Sequence, residues 1–296
     1  MFLRIDKLQV ELPQPKEADP DAAAVVQDLM GGRFGEMSTL MNYMHQSFNM
    51  RAKSKVKPYY DLIANIAAEE LGHVELVANT INLMLSGGSE AYGATDGEPL
   101  SAAKQAGNPA HFLFTGQSSF PMDPGGIPWD SSNVFNSGNL RLDLLHNFFL
   151  ESGARMGKIR VYEATSNPVA REMIGYLICR GGVHQEAYAK ALGDLTGVDA
   201  TKLLPIPEIE SKNFPHAKKF MDKGFHKFIY KFSQNDYNDM GQIWNGAQVD
   251  TGEEREVLDQ IPEGGPVPDL DAEPQVFAPG VSEEDVNEIA KKLGIS

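Results

Sequence analysis

Cysteine is nearly absent from this chain: its 296 residues contain one, Cys179. An intrachain disulfide is therefore excluded, and the composition fits a reducing compartment. Cys179 lies in the apolar run 174–179, which reads as a buried, inert thiol. No apolar run approaches the roughly 18 residues needed to span a bilayer. The N-terminus, MFLRIDKLQVELPQPKEADP, lacks a secretory apolar region, so the expected location is cytoplasmic, with no membrane partner. Basic residues are also scarce. Only 26 Lys and Arg stand against 41 Asp and Glu, a net charge of −15 that argues against a nucleic-acid partner. The imbalance is concentrated at the end of the chain, where residues 250–296 hold thirteen acids and three bases.

What is present is helical periodicity in four segments. The first runs from about Asp21 to Arg51, with Val25, Val26, Leu29, Leu40, Tyr43 and Met44 inward. Its Gly31-Gly32 and Gly35 weaken a helix, which implies that the backbone passes close to something there. The second begins near Pro58, ends at Gly87-Gly88, and carries the stripe Ile66, Glu70, His73, Val77, Thr80, Met84. The third follows Ser137-Gly138-Asn139 with Leu144, Phe148, Glu151, Arg155, Lys158 and Tyr162. The fourth is capped by Asn167, opens on Pro168, and presents Leu177, Gly181, His184, Tyr188, Ala191 and Leu195 before Gly197. Polar residues thus interrupt stripes where packing alone would select Leu or Ile.

The connections set the topology. Residues 52–57 and 165–167 are short links that join antiparallel neighbours. Residues 87–137, with eight Gly and five Pro, must cross from the second helix to the third. Two short links around one long crossover predict an all-α, ferritin-like four-helix bundle. The expected division is an N-terminal segment 1–20, a bundle 21–197 with crossover 87–137, an extension 198–249, and an acidic C-terminal arm 250–296. The extension has a short helix near 215–224. The arm ends in a helix from Glu283 to Leu293 capped by Ser282, and we read it as laid on a neighbouring subunit.

Five metal-type ligands fall on the four inward stripes: Glu36, Glu70, His73, Glu151 and His184. Glu70 and His73, three apart, share one helix face. This nearly matches the carboxylate-bundle recipe for two metals, which asks for a second Glu three residues before the second His; here that position is Gly181. Glu69, four before His73, offers that ring another pairing. Three buried carboxylates require neutralising cations. Two divalent ions suffice, and carboxylate with imidazole suits Mn or Fe.

The segments GGRFGEMSTLMNYMHQSFN, IAAEELGHVELVANTIN, SGNLRLDLLHNFFLESGAR and NPVAREMIGYLICRGGVHQEAY resemble the manganese catalase family, its thermophilic bacterial branch more than its lactic-acid-bacterial one. The resemblance covers most of residues 1–245. It implies that Glu36 and His73 hold one manganese, Glu151 and His184 the other, and that Glu70 bridges them. It also implies disproportionation of hydrogen peroxide with the pair cycling between Mn(II)₂ and Mn(III)₂, and a homohexamer whose tails embrace neighbours. Some members carry a Glu at the position of Gly181 and an Arg at that of Leu150; their replacement here moves proton handling elsewhere. Lys158, two turns after Glu151, is the candidate catalytic residue, with a pKa expected to be lowered by burial. Its alternative role is to balance buried carboxylates. Tyr43 matches a family tyrosine that hydrogen-bonds toward the metals, with core packing as the alternative. Asp61 and Ser233 occupy places where relatives bind Ca²⁺, although Asn65 replaces an acid there. His45, His111, His146, His216 and His226 match no ligand role. The competing readings are a di-iron peroxidase or ferroxidase and a non-catalytic, coat-type relative.

Overall fold

The computed structural model describes residues 6–85, 106–204, 206–270 and 283–295. Helices run in the order α1 (Pro20–Gly31), α2 (Glu36–Asn49), α3 (Lys57–Leu85), α4 (Ala110–Phe114), α5 (Leu140–Ala164), α6 (Pro168–Thr196), α7 (Pro215–Met221) and α8 (Glu283–Leu293). The four long inward stripes are therefore carried by α1/α2, α3, α5 and α6. Among the described residues, no helix is long and apolar enough to cross a membrane.

Local signals explain the helix ends. Asn139 Oδ1 accepts from the backbone N–H of Arg141 and Leu142, and Asn167 Oδ1 from Val169 and Ala170. Each side chain thus satisfies N–H groups that a first turn leaves without partners. Gly197 ends α6 in the left-handed conformation, at φ +75°. The stop expected at Gly87-Gly88 and the Ser282 cap lie outside the described residues, as does the first part of the crossover.

The first predicted helix is two helices. Residues 32–35 break it, and Gly35 caps α2 in an extended conformation. The expected close approach is real: a Cβ on Gly31 would run into the backbone carbonyl of Met122. The crossover passes over this bend, and Gln27 Nε2 donates to Phe120 O and Met122 O. A continuous helix would carry Glu36 onward along the axis of α1. The break instead places Glu36 at the first turn of α2, at the positive end of the helix dipole, with its carboxylate turned toward His73 and Lys158.

The core is split. One apolar cluster contains Leu29, Leu76, Ile81, Met173, Tyr176 and Leu177. The other contains Tyr43, Leu62, Ile66, Leu144, Tyr188 and Trp244. On α3 the second cluster ends at Ala67 and the first begins at Leu76; on α5 the boundary falls between Leu150 and Ile159. The polar site occupies this waist at one level of every helix.

Residues 206–270 cover the bundle. A two-stranded parallel pair joins β1 (Phe228–Tyr230) to β2 (Glu256–Leu258), with Phe228 opposite Glu256. Leu8 and Gly265 exchange backbone hydrogen bonds at 2.9 and 3.0 Å, so the N-terminal segment and the stretch after β2 meet on the same chain. Glu186 of α6 accepts from Gln248 Nε2, Val249 N and Arg255, fastening the residues between the strands to the bundle.

Candidate metal centre

All five predicted ligands meet at the waist, each fully buried. Glu70 reaches toward both imidazoles: Oε2 is 3.0 Å from His73 Nδ1, and Oε1 is 2.7 Å from His184 Nδ1. Glu36 Oε2 lies 3.7 Å from His73 Nδ1, and Glu151 Oε1 lies 3.5 Å from His184 Nδ1. Glu70, His73 and His184 each offer one ligand atom, and these atoms lie within 4.8 Å of one another.

The donor set fits divalent metals. Glu36 Oε1, Glu70 Oε1, Glu151 Oε2 and both nitrogens of His184 are buried and make no aligned hydrogen bond, although all but Glu151 Oε2 have an oppositely charged group within 3.1 Å. Buried polar atoms are normally satisfied, so a cluster of orphaned carboxylate and imidazole atoms marks a cation site. The two rings are stacked, with centroids 5.5 Å apart.

The charges explain the protonation. Burial works against both histidinium ions, but Glu70 and the neighbouring carboxylates outweigh it, raising His73 to about 10 and His184 well above its ordinary value. Burial likewise opposes ionised Glu70, yet the two imidazoles hold it below the usual carboxylate range. Glu36 is pushed up by burial, against the pull of Lys158. Without metal, Glu36, Glu69, Glu70 and Glu151 face Lys158, Arg180 and two histidinium rings. Two divalent ions would replace the two ring protons and leave the site with a small positive excess.

Lys158 is buried with its Nζ 2.9 Å from Glu36 Oε1. Its expected lowered pKa is wrong. Burial does push it down, but Glu36, Glu70 and Glu151 together hold it above the ordinary lysine value. A lysine on an inward stripe is depressed only where no carboxylate faces it. A Cβ at Gly181 would lie 3.5 Å from Lys158 Nζ, so the ammonium fills the space beside the missing side chain. Leu150 packs into the apolar cluster.

Tyr43 donates from its hydroxyl to Glu151 Oε1 at 2.7 Å, and its ring packs 5.1 Å from that of Tyr188. Of the two roles weighed for Tyr43, the geometry supplies both. Sequence reasoning missed three neighbours. Thr39 Oγ1 donates to Glu70 Oε2 at 3.0 Å. The buried Tyr188 hydroxyl has no hydrogen-bond partner among the described residues. Glu69, weighed only as a competitor for His73, lies on the far side of both imidazoles with Arg180. Spacing could have found Glu69 and Tyr188, which share inward faces with His73 and His184; nothing in the pattern marks Thr39.

The residues suggested for Ca²⁺ do not fit it. Lys57 Nζ lies 2.7 Å from both Asp61 oxygens, and Asp239 N also donates to Asp61 at 3.0 Å. Asn65 is taken by Tyr230 O and Phe232 N, and Ser233 by Asp236. An ammonium already neutralises that carboxylate. Histidines without a predicted role have other partners: His216 meets Tyr162, His226 meets Glu253, His111 meets Ser118 O, and His146 stacks on Phe135. His45 lies edge-on to Phe48. Burial raises the Cys179 thiol to about 12, as befits an inert core residue.

Residues 1–295 match the family model described as manganese containing catalase. The chain is 32% identical over 222 residues to a manganese catalase of Lactiplantibacillus plantarum, covering 73% of this chain and 81% of that protein. It is 31% identical over 256 residues to the uncharacterized protein YjqC of Bacillus subtilis, covering 84% and 87%. The solved structure of wild-type KatB, a manganese catalase from Anabaena, superposes with a TM-score of 0.56 at 21% identity, covering 88% of this chain and 100% of that one. That likeness shows a shared ferritin-like helical fold.

Proposed function

The chain belongs to the manganese-containing catalase family, and from that premise we propose that it disproportionates hydrogen peroxide at a dimanganese centre held by Glu36, Glu70, His73, Glu151 and His184. The observation that carries the reading is the burial of three carboxylates and two imidazoles, with orphaned donor atoms, at the one level where the apolar core is interrupted. Glu36 with His73 would hold one ion, Glu151 with His184 the other, and Glu70, with one oxygen toward each ring, would bridge them. Bound there, the two ions supply a two-electron store by cycling between Mn(II)₂ and Mn(III)₂.

The chain's own residues handle charge and protons. Reducing one peroxide to two waters takes up two protons and two electrons; oxidising a second to dioxygen returns both. The two halves balance if the protons are stored near the site between them. Lys158 is our candidate for carrying one of them, supported by its Nζ 2.9 Å from Glu36 Oε1 and beside the space at Gly181. Its raised value makes it a proton holder in the metal-free protein. With the facing carboxylates neutralised by bound cations, the cause of that rise would be removed and the Lys158 proton would come within reach of exchange. Tyr43 fixes the Glu151 carboxylate, and Thr39 fixes Glu70.

The assembly we propose is a homohexamer. Support comes from Leu142, Leu145 and Phe149, three exposed apolar side chains on one face of α5 that a neighbouring subunit would cover. A cytoplasmic role in removing peroxide under oxidative stress fits the lone, buried Cys179. Metal analysis of the purified protein together with oxygen evolution from peroxide tests the function. Two manganese per chain with oxygen release is the expected result. Iron with dependence on a reducing co-substrate would make it a di-iron peroxidase, and neither metal nor turnover would make it a structural relative.

A further inference from the structure

The side of the two imidazoles turned away from Glu70 is not apolar. His184 Nε2 lies 3.1 Å from Glu69 Oε2, and His73 Nε2 lies 3.7 Å from Glu69 Oε1. One carboxylate thus offers a separate oxygen to each ring. The first distance is within hydrogen-bond range and the second is longer, and neither ring N–H is aligned for a hydrogen bond, so the contact is one of charge and proximity. Glu69 is itself held. Arg180 Nε donates to Oε1 at 2.6 Å and its second terminal nitrogen to Oε2 at 3.1 Å, while its other terminal nitrogen donates to the carbonyls of Phe225 and Phe228 at 2.6 and 2.7 Å. Gln9 Nε2 donates to the Glu69 carbonyl at 2.9 Å, and a Cβ on Gly72 would collide with that amide. The N-terminal segment, the strand β1 region and α6 therefore converge on this one residue.

We propose that Glu69 is the shared positioning residue of the metal centre: one carboxylate, locked by Arg180, that sets the tautomer and orientation of both histidine ligands at once. An imidazole whose Nε2–H points at a carboxylate must present a bare Nδ1 on its opposite edge, toward Glu36, Glu70 and Glu151. A ligating histidine is commonly oriented by such an outer carboxylate, and loss of that partner typically weakens metal binding about 10- to 100-fold. Here a single carboxylate serves both rings, so one substitution should loosen both ions together. A residue that merely neutralised Arg180 would do neither. The proposal rests on the dimetal reading above.

The test is Mn(II) binding to metal-stripped protein, followed by the six-line electron paramagnetic resonance signal of free Mn(II), with circular dichroism to confirm folding. Wild type is expected to bind two ions; failure there would sink the dimetal reading and not this one. E69Q keeps the size of the side chain but confronts one ring N–H with an amide N–H₂. Folded E69Q should bind both ions about 10- to 100-fold more weakly, with a shifted Mn(III) absorption band when oxidised. Both affinities within threefold of wild type would overturn the proposal. Should E69Q not fold, ¹⁵N spectroscopy of histidine-labelled wild type loaded with diamagnetic Zn(II) decides. Protons on Nε2 of His73 and His184 support the assignment, and a proton on Nδ1 of either ring refutes it.

Discussion

Manganese should compete with protons for this site, and the competition has a calculable slope. His73 is raised to about 10 in the metal-free protein because burial is outweighed by Glu70 and its neighbours. At pH 7 that ring is therefore almost entirely charged, and a metal can bind Nδ1 only after displacing a proton. Bringing His73 from about 10 to neutrality at pH 7 lowers the apparent affinity roughly 1,000-fold relative to a site already deprotonated. Each pH unit gained restores a factor of about 10 for the proton that His73 releases, and His184, also raised, steepens the dependence. Glu36, pushed up by burial, adds to the slope to the extent that it holds a proton, and the remaining groups contribute little. Glu69 and Glu70 are held below the ordinary range and are already ionised, and Lys158 is held above its ordinary value and stays charged. The sign for stability is opposite. His73 has a folded value above its ordinary 6.5, so its contribution to the metal-free fold is fully present below about 6.5 and is lost as pH rises through about 10. The gap in melting temperature between loaded and stripped protein should thus widen with pH. Isothermal calorimetry of Mn(II) binding in two buffers of different ionisation enthalpy counts the protons, and about two per chain are expected at pH 7. An affinity that stays flat between pH 6.5 and 8.5, or binding without proton release, would refute the electrostatic account.

Other perturbations separate the roles. Glu70→Ala removes the carboxylate that faces Nδ1 of both imidazoles, and should abolish metal content and oxygen evolution together; retained activity would discard the site assignment. Lys158→Met should keep two manganese per chain while slowing turnover by about 100-fold or more, the usual scale for a lost proton carrier. Unchanged oxygen release from that variant would remove Lys158 from the mechanism. Gly31→Ala forces a methyl group into the Met122 carbonyl and should cost about 1–3 kcal/mol in a chemical-denaturation series; a neutral result would show that the crossover is not held against that bend.

The sequence by itself determined the candidate ligands and the bundle. Glu36, Glu70, His73, Glu151 and His184 are legible because polar residues at steps of three and four inside apolar stripes have no packing reason to be there. Asn139, Asn167, Pro168 and Gly197 announce helix ends through local chemistry that needs no partner elsewhere in the chain. Tertiary structure decided what depends on distant neighbours. The bend at residues 32–35 exists because the crossover lies against Gly31, a contact between segments about ninety residues apart. Lys158 keeps its proton because three carboxylates from α2, α3 and α5 surround it, whereas the sequence displays only an inward lysine. Lys57 displaces any cation at Asp61, and Glu69 faces both imidazoles, for the same reason. Periodicity reports which face a residue occupies; the sign and distance of the charges opposite that face are set only when the helices pack.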